Sequence, residues 1–306
     1  MRPAGPPRGS NHAPAGGGAA AKPQAWGYYA STGQHVRGMA VIVAMLVAAL
    51  AAAVAVSVAT AQAQWSSQVA HRRDQVQAQS IALAGVQWAR QILDADARAG
   101  PIDHLAEPWA LPLPATPVEN GVVEGRIVDA QGLLNVNDLT LGAHAAFERR
   151  RFERLFATLG VDASLLGAIV AKTPATQVQE LAFVSAMTPA ALARVARFVT
   201  SLPVETPLNV NTAPAELLAA SINGIDPRDV AALVASRAQQ PFASLADFRE
   251  RLPPGATLGD EAAYSVSSRF FLVSVQARQG ETLARARALI ERASGVPSSV
   301  VWQTID

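Results

Sequence analysis

The sequence predicts an α+β fold, and three observations carry that prediction. An uncharged apolar run near the N-terminus continues, without proline or glycine, into an amphipathic stretch. Period-two alternation appears in Val122–Asp129 and again from Phe270 onward. Between them the spacing of apolar residues becomes helical. Strand signals on both sides of one helical block imply a sheet domain with a large all-α domain inserted into it.

Composition sets the outer limits. The chain has 306 residues, is 50% hydrophobic and 16% charged, and carries a net charge of +1. Such a balance gives no overall field for recruiting nucleic acid, so DNA binding would need a local patch. The absence of cysteine excludes disulfides, zinc ribbons and thiol nucleophiles. It leaves export open, because a core of this size needs no covalent staples.

The elements follow in order. Residues 1–38 are rich in glycine, proline and alanine, and their charges, Arg2, Arg8, Lys22 and Arg37, are all basic. This segment reads as a disordered basic leader. Residues 39–60 carry no charge and read as a transmembrane helix. At about 1.5 Å per residue the run is roughly 30 Å long, the thickness of a bilayer core. Basic residues lie before it, which places the N-terminus in the cytoplasm and the remainder outside. Its many alanines favour close helix–helix approach in lipid. Residues 61–100 continue the same helix amphipathically, with Val69, Val76, Leu83, Val86 and Leu93 as the apolar face and Gly85 as a weak spot. Gly100-Pro101 ends it.

Residues 101–140 and 253–306 supply the β domain, and 141–252 the inserted helical domain. In Val122–Asp129, Glu124 and Arg126 share one face while Val123 and Ile127 share the other. Asn135 and Asn137 flank Val136, and Asn209 and Asn211 flank Val210; both pairs read as local turn bracing. Two helical hairpins, Glu180–Met187 with Pro189–Val199 and Ala213–Ser221 with Pro227–Arg237, look like a weak duplication of a helix-hairpin-helix-like unit. Thr188-Pro189 and Asp226-Pro227 are helix starts, a cap followed by proline at the first helical position. Phe271–Arg278 alternates as a strand, Gln279-Gly280 turns the chain, Ala284–Ile290 alternates as well but its alanines fit a helix equally, and Val300–Ile305 is a last strand.

The stretch HVRGMAVIVAMLVAAL (35–50), with its arginine and glycine before an uncharged helix, resembles a type IV prepilin leader. Three further stretches resemble the K-type minor pseudopilins of the type II secretion system (the general secretion pathway protein K family). They are Val123–Leu139, Gln179–Leu218 and Phe270–Ala293. The resemblance implies a pilin-like antiparallel sheet. It implies cleavage by prepilin peptidase between Gly38 and Met39, and N-methylation of Met39. Pilins and pseudopilins generally carry a glutamate at the fifth mature position, which meets the N-terminal amine of a neighbouring subunit. Here that position is Val43, and K-type members typically lack the glutamate. The resemblance further implies a place at the tip of a periplasmic pseudopilus, initiating its assembly and limiting its length. Implied partners are other minor and major pseudopilins, prepilin peptidase and inner-membrane lipid. The implied location is the bacterial inner membrane, single-pass, with a periplasmic head. Some members bind calcium in an acidic loop. That loop would fall between Ile169 and Val178, where this chain reads IVAKTPATQV without a carboxylate. No cofactor is expected on the chain's own residues.

Leu208–Arg249 also resembles the helix-hairpin-helix domain of competence DNA receptors. That hairpin usually reads Gly-apolar-Gly so that backbone N–H groups reach a phosphate. Here it reads Gly224-Ile225-Asp226, with Arg228 and Arg237 the only nearby cations and Asp229 offsetting one. Structural use of this hairpin outweighs DNA binding, and no nucleic acid partner is expected. The histidines (12, 35, 71, 104, 144) are scattered, and no phosphate loop or serine elbow occurs. Asp94, Asp96 and Asp129 read as solvated carboxylates. The chain is therefore expected to have no catalytic residue and no metal ligand set.

Overall fold

The computed structural model describes residues 33–142, 144–293 and 295–306. Most of the leader read from the sequence lies outside these residues. The chain divides into two units, Met1–Trp65 and Ser66–Asp306. Helix α1, Gly33–Ala99, belongs to both. It begins ahead of the expected start at 39 and ends at the expected Gly100-Pro101.

In the first unit every described side chain of α1 is exposed. From Gly38 onward the helix is long and apolar enough to cross a membrane. Its hydroxyls return to the backbone: Ser57 Oγ donates to the Val54 carbonyl at 2.8 Å and Thr60 Oγ1 to the Ser57 carbonyl at 2.9 Å. No polar side chain between 39 and 60 is then left asking for water.

In the second unit the sheet has five antiparallel strands: β1 (Leu113–Val118), β2 (Gly121–Asp129), β3 (Phe270–Gln279), β4 (Thr282–Glu291) and β5 (Ser299–Ile305), in spatial order as numbered. Strand β1 was not expected. Its sequence, LPATPV, has two prolines, but it lies on the sheet edge, where missing N–H donors cost no ladder bond.

One face of the sheet packs on α1. The buried side chains of α1 are Ala78, Ala82, Val86, Ala89 and Leu93, which meet Ile127, Val273, Val275, Ala286 and Ala288. This corrects the face read from the sequence. Val86 and Leu93 do face the sheet, but Val69 and Val76 are 52% and 59% exposed and Leu83 is half-buried. Alanines let the helix approach closely. At Gly85 the approach is closer still, since a Cβ there would stand 2.7 Å from Val275 Cγ1.

The chain between β2 and β3 builds a second core, from Leu134 to Tyr264, centred on Phe152, Leu155, Phe156, Leu217, Leu218 and Phe248. It reaches beyond 141–252 at both ends. Its helices are α2 (Ala145–Leu159), α3 (Leu165–Val170), α4 (Pro189–Val195), α5 (Ala215–Ser221), α6 (Pro227–Gln239) and α7 (Leu245–Glu250). Thr188 and Asp226 cap α4 and α6, accepting from Ala191 N–H and Asp229 N–H. The block also contains three two-residue ladders: Leu134-Asn135 with Val199-Thr200, Leu208-Asn209 with Tyr264-Ser265, and Ile222-Asn223 with Leu258-Thr257. Glu180–Met187 is not an α-helix; a 3₁₀ turn covers Val178–Phe183.

Candidate functional site

With a helix long and apolar enough to cross a membrane and separate sheet and helical cores, the functional geometry lies along α1, in the joints between the cores, and in what remains exposed. Gly38, Met39 and Val43 follow one another along exposed α1. Met39 is 67% and Val43 54% exposed.

The joint between the sheet and the second core is polar and buried. Asp129, at the end of β2, accepts four hydrogen bonds. Gln131 N–H reaches Oδ1 at 2.8 Å, while Asn209 Nδ2, Thr212 Oγ1 and Ser268 Oγ reach Oδ2 at 3.0, 2.5 and 2.7 Å. Asp129 is 3% exposed, not solvated as the sequence implied. Burial raises its pKa to about 6 despite those donors.

Asp96, also expected in solvent, lies in a cluster with Asp103 and Glu107. Three carboxylates this close satisfy the chemistry of a cation site, and Arg292 provides the cation. It pairs with Asp96 at 2.6 Å and with Asp103, and its guanidinium lies over the Phe271 ring. Trp109 Nε1 and His104 N–H both donate to Glu107 Oε2. Burial, reinforced by Glu107 and opposed by Arg292, raises the Asp96 pKa to about 6. Asp94 accepts from Ser298 N–H at 2.7 Å, and Arg90 donates to the Ser298 carbonyl at 2.6 and 3.0 Å, so α1 clasps the entry to β5.

The two asparagine pairs do more than brace local turns. In each pair the first asparagine accepts from the N–H of the second. The second then forms a two-way clamp with a backbone far along the chain, on the residue after a proline. Asn137 donates to the Ala175 carbonyl at 2.9 Å and accepts from Ala175 N–H at 2.8 Å. Asn211 does the same with Phe242, at 3.0 and 2.8 Å. Each unit also returns a strand parallel to its own Leu-Asn dipeptide. This duplication, 134–200 and 208–265, replaces the hairpin duplication read from the sequence. Comparing LLNVND with PLNVNT at Leu133–Asp138 and Pro207–Thr212 would have found it.

The clamp bears on the calcium expectation. The stretch 169–178 has Lys172 as its only ionisable side chain. The Ala175 carbonyl is already engaged by Asn137 and Ser201. Its donors do not fit a hard divalent cation, which calls for several free oxygens and carboxylate charge.

The hairpin weighed for DNA is preceded by a short backbone ladder and faces a carbonyl oxygen. Ile222 and Asn223 are paired with Leu258 and Thr257. Gly224 has φ +70°, and a Cβ there would stand 2.9 Å from the Gly255 carbonyl oxygen, an acceptor that repels anions. Arg237 is buried, donates to the Val210 carbonyl at 2.6 Å, and has its pKa lowered by burial to about 10.

A family model described as type II secretion system (T2SS), protein K, matches residues 208–267, the second clamped unit. The type II secretion system protein K of Pseudomonas aeruginosa PAO1 is 28% identical over 245 residues, covering 67% of this chain and 73% of that relative. A chain in the crystal structure of the GspK-GspI-GspJ complex from the enterotoxigenic Escherichia coli type 2 secretion system shares the fold. The TM-score is 0.64 at 18% identity, over 78% of this chain and 99% of that one.

Proposed function

On the premise that this chain is a K-type pseudopilin, on which the family model, the relative and the shared fold agree, we propose a non-enzymatic role at the tip of the periplasmic pseudopilus. There it initiates assembly and limits length, with a pilin-like sheet and an inserted helical domain as its head. Prepilin peptidase cleaves between Gly38 and Met39 and Met39 is methylated. The helix that follows stays in inner-membrane lipid with its N-terminus cytoplasmic. Val43, in place of a glutamate, removes the need for an amine from a subunit above.

The observation that carries this reading is the second apolar face of α1. Val69 and Val76 lie roughly 150° around the helix from the alanines that meet the sheet and are more than half exposed. A helix with one face on its own sheet and another left apolar has a surface for a neighbouring helix. Other minor and major pseudopilins are the proposed occupants; GspI and GspJ stand beside GspK in the solved complex. The loop at 169–178 holds no calcium in this proposal, its clamp being Asn137.

Because the chain has no cysteine, a cysteine placed at Val76 reports its neighbours cleanly. Crosslinking in secreting cells to other pseudopilins carrying single cysteines is expected. Failure to crosslink, together with micromolar duplex DNA binding lost in Arg228→Ala, would favour the receptor-like reading instead.

A further inference from the structure

The outer face of the sheet, away from α1, is covered over only part of its area. Leu202 and Ala130 pack on Phe270, Leu289, Leu272 and Trp302. The remainder is open and basic. Register places Arg126 opposite Ser274, and Ser274 opposite Arg287, in one row. The next row runs Glu124, Gln276, Arg285. Alternation turns these side chains outward, because Ile127, Val273, Val275 and Ala286 face α1. Arg126, Arg285 and Arg287 line a groove of about 400 Å³. Glu124 is its one acidic lining residue, and none of the three arginines has an ion pair among the described residues. On a chain of net charge +1, this is a local excess of cations, three arginines against Glu124 in the groove and Asp306 across the strand from Arg285.

An apolar cleft on the α1 side of the sheet shares part of the groove's lining near the edge strand. Pro112, Leu113, Gly125, Arg126 and Val275 line both. The cleft, about 210 Å³, runs under the edge strand β1 between Trp88 and Ile92 of α1 and Trp109. Its rim exposes large apolar surface, with Leu111 66% and Trp88 48% exposed. An apolar cavity beside a row of arginines is the composition of a protein-binding hot spot. A free phosphate would leave the cleft unused, and a lipid headgroup would use only the arginines.

We propose that the groove and cleft together bind an acidic segment of a partner protein, an apolar side chain entering the cleft while carboxylates meet Arg126, Arg285 and Arg287. Guanidinium forks recognise carboxylates in a fixed geometry. The proposal does not depend on the partner being a pseudopilin, and its test is independent of pilus assembly.

The probe is a fluorescent peptide carrying glutamates around one central phenylalanine, titrated by anisotropy against the full chain in neutral detergent. Binding is expected, weakening as salt rises. Arg285→Glu with Arg287→Glu is expected to weaken it by about tenfold or more and to confer binding of the same peptide with lysines for glutamates. These positions are on the solvent side of the sheet, and circular dichroism checks that the fold persists. Phenylalanine→alanine in the peptide, or Leu111→Ala in the protein, is expected to weaken binding at constant salt dependence. Equal binding of the glutamate and lysine peptides, insensitivity to the charge reversal, or binding of anionic lipid vesicles without binding of the peptide would each overturn the proposal.

Discussion

Gly85 offers a test in which two effects oppose each other. It sits in mid-helix, where alanine is favoured over glycine by about 1 kcal/mol. Helix propensity alone predicts that Gly85→Ala stabilises the head. Packing predicts the reverse. The added methyl would stand 2.7 Å from Val275 Cγ1 and 3.1 Å from Cγ2. Val275 is 4% exposed, β-branched and central in the sheet, so it has little room to turn. Overpacking of this kind costs about 1–3 kcal/mol. The net expectation is a loss of up to about 2 kcal/mol. Val275→Ala on its own leaves a cavity and costs about 2 kcal/mol. Once that cavity exists, Gly85→Ala fills it and recovers the helix propensity, so its effect becomes stabilising. The assay is urea unfolding of the four variants of the cycle in detergent, followed by near-UV circular dichroism of Trp88 and Trp109, which flank the contact. A change of sign between the two backgrounds is expected. Stabilisation by about 1 kcal/mol in both would refute the close approach.

Other predictions rest on the polar joints. Burial raises Asp138 to about 8, helped by Glu148 and Glu205, and raises Asp129 and Asp96 to about 6. Between those values and the ordinary carboxylate range, the folded state holds protons that the unfolded chain has released. Stability therefore rises as pH falls from about 8.5 to 5 and gains nothing more from these groups below about 4. A melting series should show this, and Asp138→Asn should flatten its upper part; a melting temperature that rises with pH over this range would contradict it. Asn137→Ala and Asn211→Ala each remove a two-way clamp and leave a buried backbone pair unmet, at a cost of about 2–4 kcal/mol in urea unfolding. Calcium and EDTA should leave the melting temperature of the parent chain alike, and a calcium-dependent rise would place an ion on the head after all.

The parts of this fold legible in the sequence were those written in strong periodicity or strong caps. The uncharged run at 39–60, the alternation of Phe271–Arg278 and the Thr188 and Asp226 caps all stand as elements. The packing face of α1 was misread because alanine contributes little to a hydrophobic pattern, although three alanines form most of the contact. Valines at 69 and 76 dominated the pattern and are the ones left exposed. Strand β1 was hidden by its prolines, which only the edge position tolerates. Asp129 and Asp96 were placed in solvent because no local signal shows that a carboxylate will meet donors from Thr212, Ser268 or Arg292, far away in the chain. The asparagine clamps were visible as turn residues, but their reach to Ala175 and Phe242 is a tertiary fact.

The central claim is that α1 is cut after Gly38, so that the helix from Met39 onward is the mature N-terminus and stays in the membrane. N-terminal sequencing with mass spectrometry of the membrane-extracted protein tests it most directly. An N-methylated Met39 following loss of Gly38 is the predicted result. An intact leader, or cleavage after Ala61 or Ala63, would contradict it.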